Sequence, residues 1–210
     1  MLRSAFWGGI ASGMMVGIGG TVYLSCENKV VGAVLFAVAL LVICILGLYL
    51  YTGKIGLFIE NPSKKSAAAL AVGLAGNAIG AILTGILAAI AKPSLVDVAA
   101  TACAGKLEGG MIRGLIAAVF CGVLMYAAVK TYGTRGTLLG IIFCIPTFIL
   151  CGFEHSVADM YYFTVASFST FNPMSIVFVL VAVVGNTLGG WLLPVLVMLG
   201  RGKETENESK

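Results

Sequence analysis

The 210-residue sequence predicts an all-α integral membrane protein of six transmembrane helices, laid out as two inverted repeats of three, with the second and fifth helices broken. The prediction rests on composition, on the spacing of apolar segments, and on a short motif that occurs twice. Hydrophobic residues make up 60% of the chain and charged residues 10%, with a mean hydropathy of +1.04. A soluble domain is roughly half apolar and about a quarter charged. Soluble enzymes are therefore set aside, and no nucleic-acid partner is expected from the net charge of +4, because basic residues in membrane proteins mostly fix orientation.

A helix needs about 20 apolar residues to cross a bilayer, and such segments run roughly Leu2 to Cys26, Val30 to Ile59, Ser66 to Ala91, Met111 to Lys130, Thr137 to Phe163 and Met174 to Gly200. Because they recur along the whole chain, the first is read as a span and not a cleaved leader. The connections are short except for the amphipathic stretch Lys92 to Gly110. One pore domain is expected over residues 1–200, with repeats at about 1–91 and 111–200, followed by a polar, frayed tail over 201–210. Placing both termini in the cytoplasm of a plasma or inner membrane protein puts Arg3, Lys64, Lys65, Lys130, Arg135, Arg201, Lys203 and Lys210 inside and Lys29, Lys92, Lys106 and Arg113 outside or near the outer surface, an orientation the positive-inside bias supports. The six cysteines are scattered without C-x-x-C pairs, which favours buried thiols over a metal site.

The second segment carries "YLYTGKIGLF" and the fifth "CGFEHSVADMYYF", each placing glycine and polar groups at membrane depth. Irregular backbone there is tolerated only inside protein or along a cavity, so both segments are read as broken helices. "GNAIG" in the third segment and "GNTLG" in the sixth share a G-N-x-x-G pattern, each following the broken segment of its half. Halves with an odd number of spans lie upside down to one another, a plan that puts a substrate path near the midplane.

These stretches resemble the formate/nitrite transporter family: "LYTGK" is similar to its Leu-Phe-Thr-Gly stretch, "AGN" and "VGN" to its Gly-Asn positions, and "GFEHSVADMYY" to its Gly-Phe-Glu-His-Ser signature. The resemblance implies a homopentamer with one pore per protomer, passage of small monovalent anions such as formate, nitrite or hydrosulfide, and no metal or organic cofactor. It also implies a central cluster of Thr52, Asn186 and His155, a lysine at the pore mouth, Lys106, an inner constriction at Phe36 and Leu40, and an outer one at Leu50, Tyr51 and Phe148. Lys54, Asp159 and Tyr51 depart from the family pattern, and Lys54 with Asp159 is expected to form a buried pair between the two breaks.

His155, the only histidine, supports that reading on physical grounds. Ionisable groups inside a bilayer usually face a polar pathway, and imidazole exchanges protons near neutral pH. An anion at an apolar constriction loses its hydration, so His155 is expected to give it a proton or a strong hydrogen bond there. Asn77 is expected to satisfy backbone groups at a break, Asn186 either to do the same or to meet the anion, and Glu154 to pair with exposed backbone amides. Glu108 is a possible partner for Lys106. A passive pore for neutral solutes is the alternative, since aquaporin-type channels share the protomer architecture, but the sequence has no Asn-Pro-Ala motif. A membrane enzyme would need a constellation that one histidine does not supply.

Overall fold

The computed structural model describes residues 1–207, with side chains described through residue 200. Among the described residues the fold is all-helical, without strands. The helices are α1 (Leu2–Ser25), α2 (Lys29–Phe36), α3 (Val38–Ile45), α4 (Tyr51–Phe58), α5 (Lys64–Ala91), α6 (Ser94–Glu108), α7 (Gly110–Arg135), α8 (Leu139–Leu150), α9 (Ser156–Ala166) and α10 (Met174–Asn207). Among the described residues, four stretches are long and apolar enough to cross a membrane: α1, α5, α7 and the Met174–Gly200 part of α10. The expected second segment is occupied by α2, α3 and α4, and the fifth by α8 and α9. The amphipathic stretch after α5 forms α6. Helical backbone continues to Asn207 in the polar tail, whose residues 208–210 lie outside the described residues.

Two glycines stop α3 and α8 in the same way. Gly47 takes φ +64° and Gly152 φ +66°, a left-handed conformation open to glycine without a Cβ clash. Around the first, Gly47 N–H donates to Cys44 O (3.2 Å) and Leu48 N–H to Ile43 O (2.9 Å). Around the second, Gly152 N–H donates to Ile149 O (3.1 Å) and Phe153 N–H to Phe148 O (2.9 Å). Both are Schellman stops, which satisfy helix-end carbonyls and turn the chain. A short extended stretch follows each before α4 and α9 begin.

Close helix packing holds these stops in place. α1 lies against α5, and α7 against α10. The last glycine of each G-N-x-x-G motif sits at these contacts: an added methyl on Gly80 would collide with the Ile10 carbonyl, and one on Gly189 with the Val119 carbonyl. α9 packs on α5 and α6, and α4 on α10 and α7. The outer faces are apolar, with Ile90, Ile112, Phe143 and Leu180 all more than half exposed, as contact with a hydrocarbon environment requires.

Candidate functional site: a buried histidine between two cavities

Two asparagines complete the extended stretches. Asn77 Oδ1 accepts from Tyr51 N–H (2.8 Å), while its Nδ2 donates to Gly9 O (2.9 Å) and Tyr49 O (2.8 Å). Asn186 Oδ1 accepts from Ser156 N–H (2.9 Å), while its Nδ2 donates to Ala118 O (2.9 Å) and Glu154 O (2.8 Å). Both side chains are fully buried. Asn186 therefore does not converge on an anion with Thr52 and His155. Its amide is occupied by backbone groups, each of which would cost several kcal/mol if left unpaired in an apolar surround.

Thr52 and His155 do meet. Thr52 Oγ1 lies 2.8 Å from His155 Nε2, with Thr52 fully buried and His155 nearly so. The imidazole is also the N-cap of α9: Ala158 N–H donates to its Nδ1 (3.1 Å). A nitrogen that accepts carries no proton, so the neutral ring holds its proton on Nε2 and donates it to Thr52 Oγ1. The Thr52 hydroxyl hydrogen is then free to point at another acceptor. The Phe148 ring stacks on the imidazole, with centroids 5.8 Å apart.

His155 lines one cavity, and Leu50, Gly53 and Lys54, close to Thr52 in the chain, line another. One, of about 140 Å³, is lined by Phe36, Phe148, His155, Asp159, Lys106 and Tyr162, among others. The other, of about 210 Å³, is lined by Leu40, Leu50, Gly53, Lys54 and neighbouring apolar groups. Phe36 and Phe148 meet edge to face with centroids 6.4 Å apart. The constriction residues are thus grouped differently from the expectation: Phe36 belongs with Phe148, and Leu40 with Leu50. Tyr51 lines neither cavity. Its hydroxyl is 2.8 Å from Thr187 Oγ1, and its ring packs with Ile55 and Leu70 in a separate apolar cluster.

The charged residues are also distributed differently. Lys106 pairs with the Glu154 carboxylate, and its Nζ lies 3.1 Å from Asp159 Oδ1. Glu108 takes no part, and Glu154 uses its side chain on the lysine instead of on backbone amides. Asp159 is 1% exposed, and neither of its oxygens accepts an aligned hydrogen bond. The expected Lys54–Asp159 pair does not form: the two line different cavities, and the α6 lysine is already beside Asp159. Among the described residues Lys54 has no ion pair, and no group of three or more His, Cys, Asp or Glu side chains could hold a metal.

The sequence matches the formate/nitrite transporter family over residues 1–200. The chain belongs to that family. It is therefore a membrane channel or transporter and not an enzyme. The uncharacterized transporter YrhG of Bacillus subtilis (strain 168) is 31% identical over 182 residues, covering 78% of this chain and 68% of that protein. Two solved structures share the fold. A pentameric formate channel with formate bound has a TM-score of 0.82 at 19% identity, covering 94% of this chain and 96% of the other. An FNT family ion channel has a TM-score of 0.75 at 24% identity, covering 91% and 86%.

Proposed function

We propose that this family member conducts small monovalent anions, of the formate, nitrite or hydrosulfide class, across a cell membrane, and that His155 and Thr52 protonate them between two apolar constrictions. The observation that carries the reading is the buried Thr52–His155 hydrogen bond, with the ring's other nitrogen occupied by an amide. The pathway runs from the Phe36–Phe148 cavity to the Leu40–Leu50 cavity. An anion reaching the Thr52–His155 contact is stripped of water, and an unpaired charge there costs far more than a neutral acid.

A neutral imidazole cannot release its Nε2 proton without becoming an imidazolate, so the ring must first take up a second proton. That proton binds Nδ1, displaces the Ala158 amide, and is drawn from the cavity the ring lines. The imidazolium then passes its Nε2 proton to Thr52 as the Thr52 hydroxyl proton moves to the anion. Proton count is conserved: the ring is left neutral with its proton on Nδ1, and it regains the resting tautomer when Nε2 takes up a proton from entering water and Nδ1 returns its own to the cavity, restoring the bond from the Ala158 amide. The substrate crosses as an acid and releases its proton in the far cavity.

The protomer is read as six spans in an inverted repeat, with breaks before α4 and α9. The matching Schellman stops and matching asparagine triads support this reading. A homopentamer with one pore per protomer and cytoplasmic termini completes it. The test is uptake of formate, nitrite and hydrosulfide by sealed proteoliposomes with and without an inward proton gradient. Gradient-stimulated flux of at least one anion is expected. Permeability to water or glycerol with no anion flux would favour a neutral-solute pore instead.

A further inference from the structure

The two cavities differ in how their lysine is partnered. On the Phe36–Phe148 side, one ammonium, Lys106, faces two carboxylates, Glu154 and Asp159. On the Leu40–Leu50 side, Lys54 is the charged residue of a mostly apolar wall that also includes Tyr132, and it has no ion pair among the described residues. Lys54 and Asp159 each stand on the fourth residue of a short helix, α4 and α9, that opens from an extended stretch. An ammonium paired in an ion cluster attracts little further charge, whereas an unpaired one beside an apolar wall, where screening is weak, attracts an anion strongly.

We propose that Lys54 builds an anion-binding site in the Leu40–Leu50 cavity, and that this cavity, not the one holding Lys106, is where the protein captures its anion. The site accepts a small monovalent anion: the cavity is about 210 Å³, and a single lysine supplies the charge. The inference rests on the anion reading of the pathway but concerns binding, which is measurable without flux. Anions bind more tightly at Lys54 than at Lys106, whose ammonium is already partnered by Glu154 and Asp159.

The experiment uses the full chain in detergent, with thermal unfolding followed against sodium nitrite and against sodium gluconate at equal ionic strength. Nitrite-specific stabilisation that saturates is expected, because a ligand bound only by the folded state raises its stability. Lys54→Gln is expected to raise the half-saturating nitrite concentration by about tenfold or more, and Lys54→Arg to stay within about threefold of wild type. Lys54→Met, which keeps most of the stem, covers any folding loss in the first variant. Asp159→Asn should leave nitrite binding at least as strong as in wild type. Wild-type binding in Lys54→Gln and Lys54→Met, or no nitrite-specific stabilisation of the wild type, overturns the proposal. Lys54-dependent binding without flux in vesicles would remove the transport reading and keep the site. Flux without Lys54-dependent binding would do the reverse.

Discussion

At the scale of single residues, the chemistry lies in one hydrogen bond and the architecture in two asparagines. Because the Ala158 amide fixes the proton of the neutral ring on Nε2, the Thr52 hydroxyl is the group that faces an anion. Thr52→Val should therefore reduce anion flux by an order of magnitude or more, while Thr52→Ser, which keeps the hydroxyl, retains most of it. Equal flux in the two variants would remove Thr52 from the relay. Asn186→Ala leaves one amide and two carbonyls without their partner, at about 1–3 kcal/mol for each buried group left unsatisfied. Its unfolding midpoint in detergent should fall well below wild type, with Asn77→Ala behaving alike; an unchanged midpoint in either would contradict the assignment. The sequence pointed to His155 and Asn77 because histidine and asparagine stand out in apolar segments, and to Thr52 through the family resemblance of "LYTGK". It left Asn186 ambiguous because the same amide suits either an anion or a carbonyl, and only the backbone path decides which is nearer.

At the scale of elements, the apolar segments and both changes of direction were legible, since glycine and polar residues interrupt otherwise oily runs. The stops themselves were not singled out, although Gly47 and Gly152 stand at the same distance before α4 and α9 and take the same positive φ. The grouping of constriction residues was also missed. Phe36 and Leu40 share a helical face by spacing, but the chain passes from α2 to α3 at Ala37, a joint no apolar pattern reveals, and the two residues end up lining different cavities. The Lys106 cluster lay beyond sequence reading because it joins α6 to the start of α9 across the fold. Close packing gives the test at this scale. Gly189→Ala places a methyl on the Val119 carbonyl and should abolish folded yield by size-exclusion chromatography, whereas Gly105→Ala, where a methyl meets nothing within 4 Å, should behave as wild type. Normal yield for Gly189→Ala would mean that α7 and α10 pack less closely than described.

At the scale of the whole molecule, long apolar helices surround a small buried polar centre, and many large hydrophobic side chains are exposed on their outer faces. Such a protomer suits a bilayer and, in our reading, four identical neighbours. Native mass spectrometry from mild detergent should return five times the 21.7 kDa protomer mass, and a monomer in every detergent would contradict that assembly. The central claim is that the one histidine in the chain neutralises an anion where water is absent. The most direct measurement compares formate and nitrite uptake by sealed proteoliposomes of wild type and His155→Asn, with and without an inward proton gradient. The account predicts that the gradient stimulates wild-type uptake and that the stimulation is lost in His155→Asn, whose amide takes up no proton. Equal stimulation in both would contradict it and leave His155 as the cap of α9 alone.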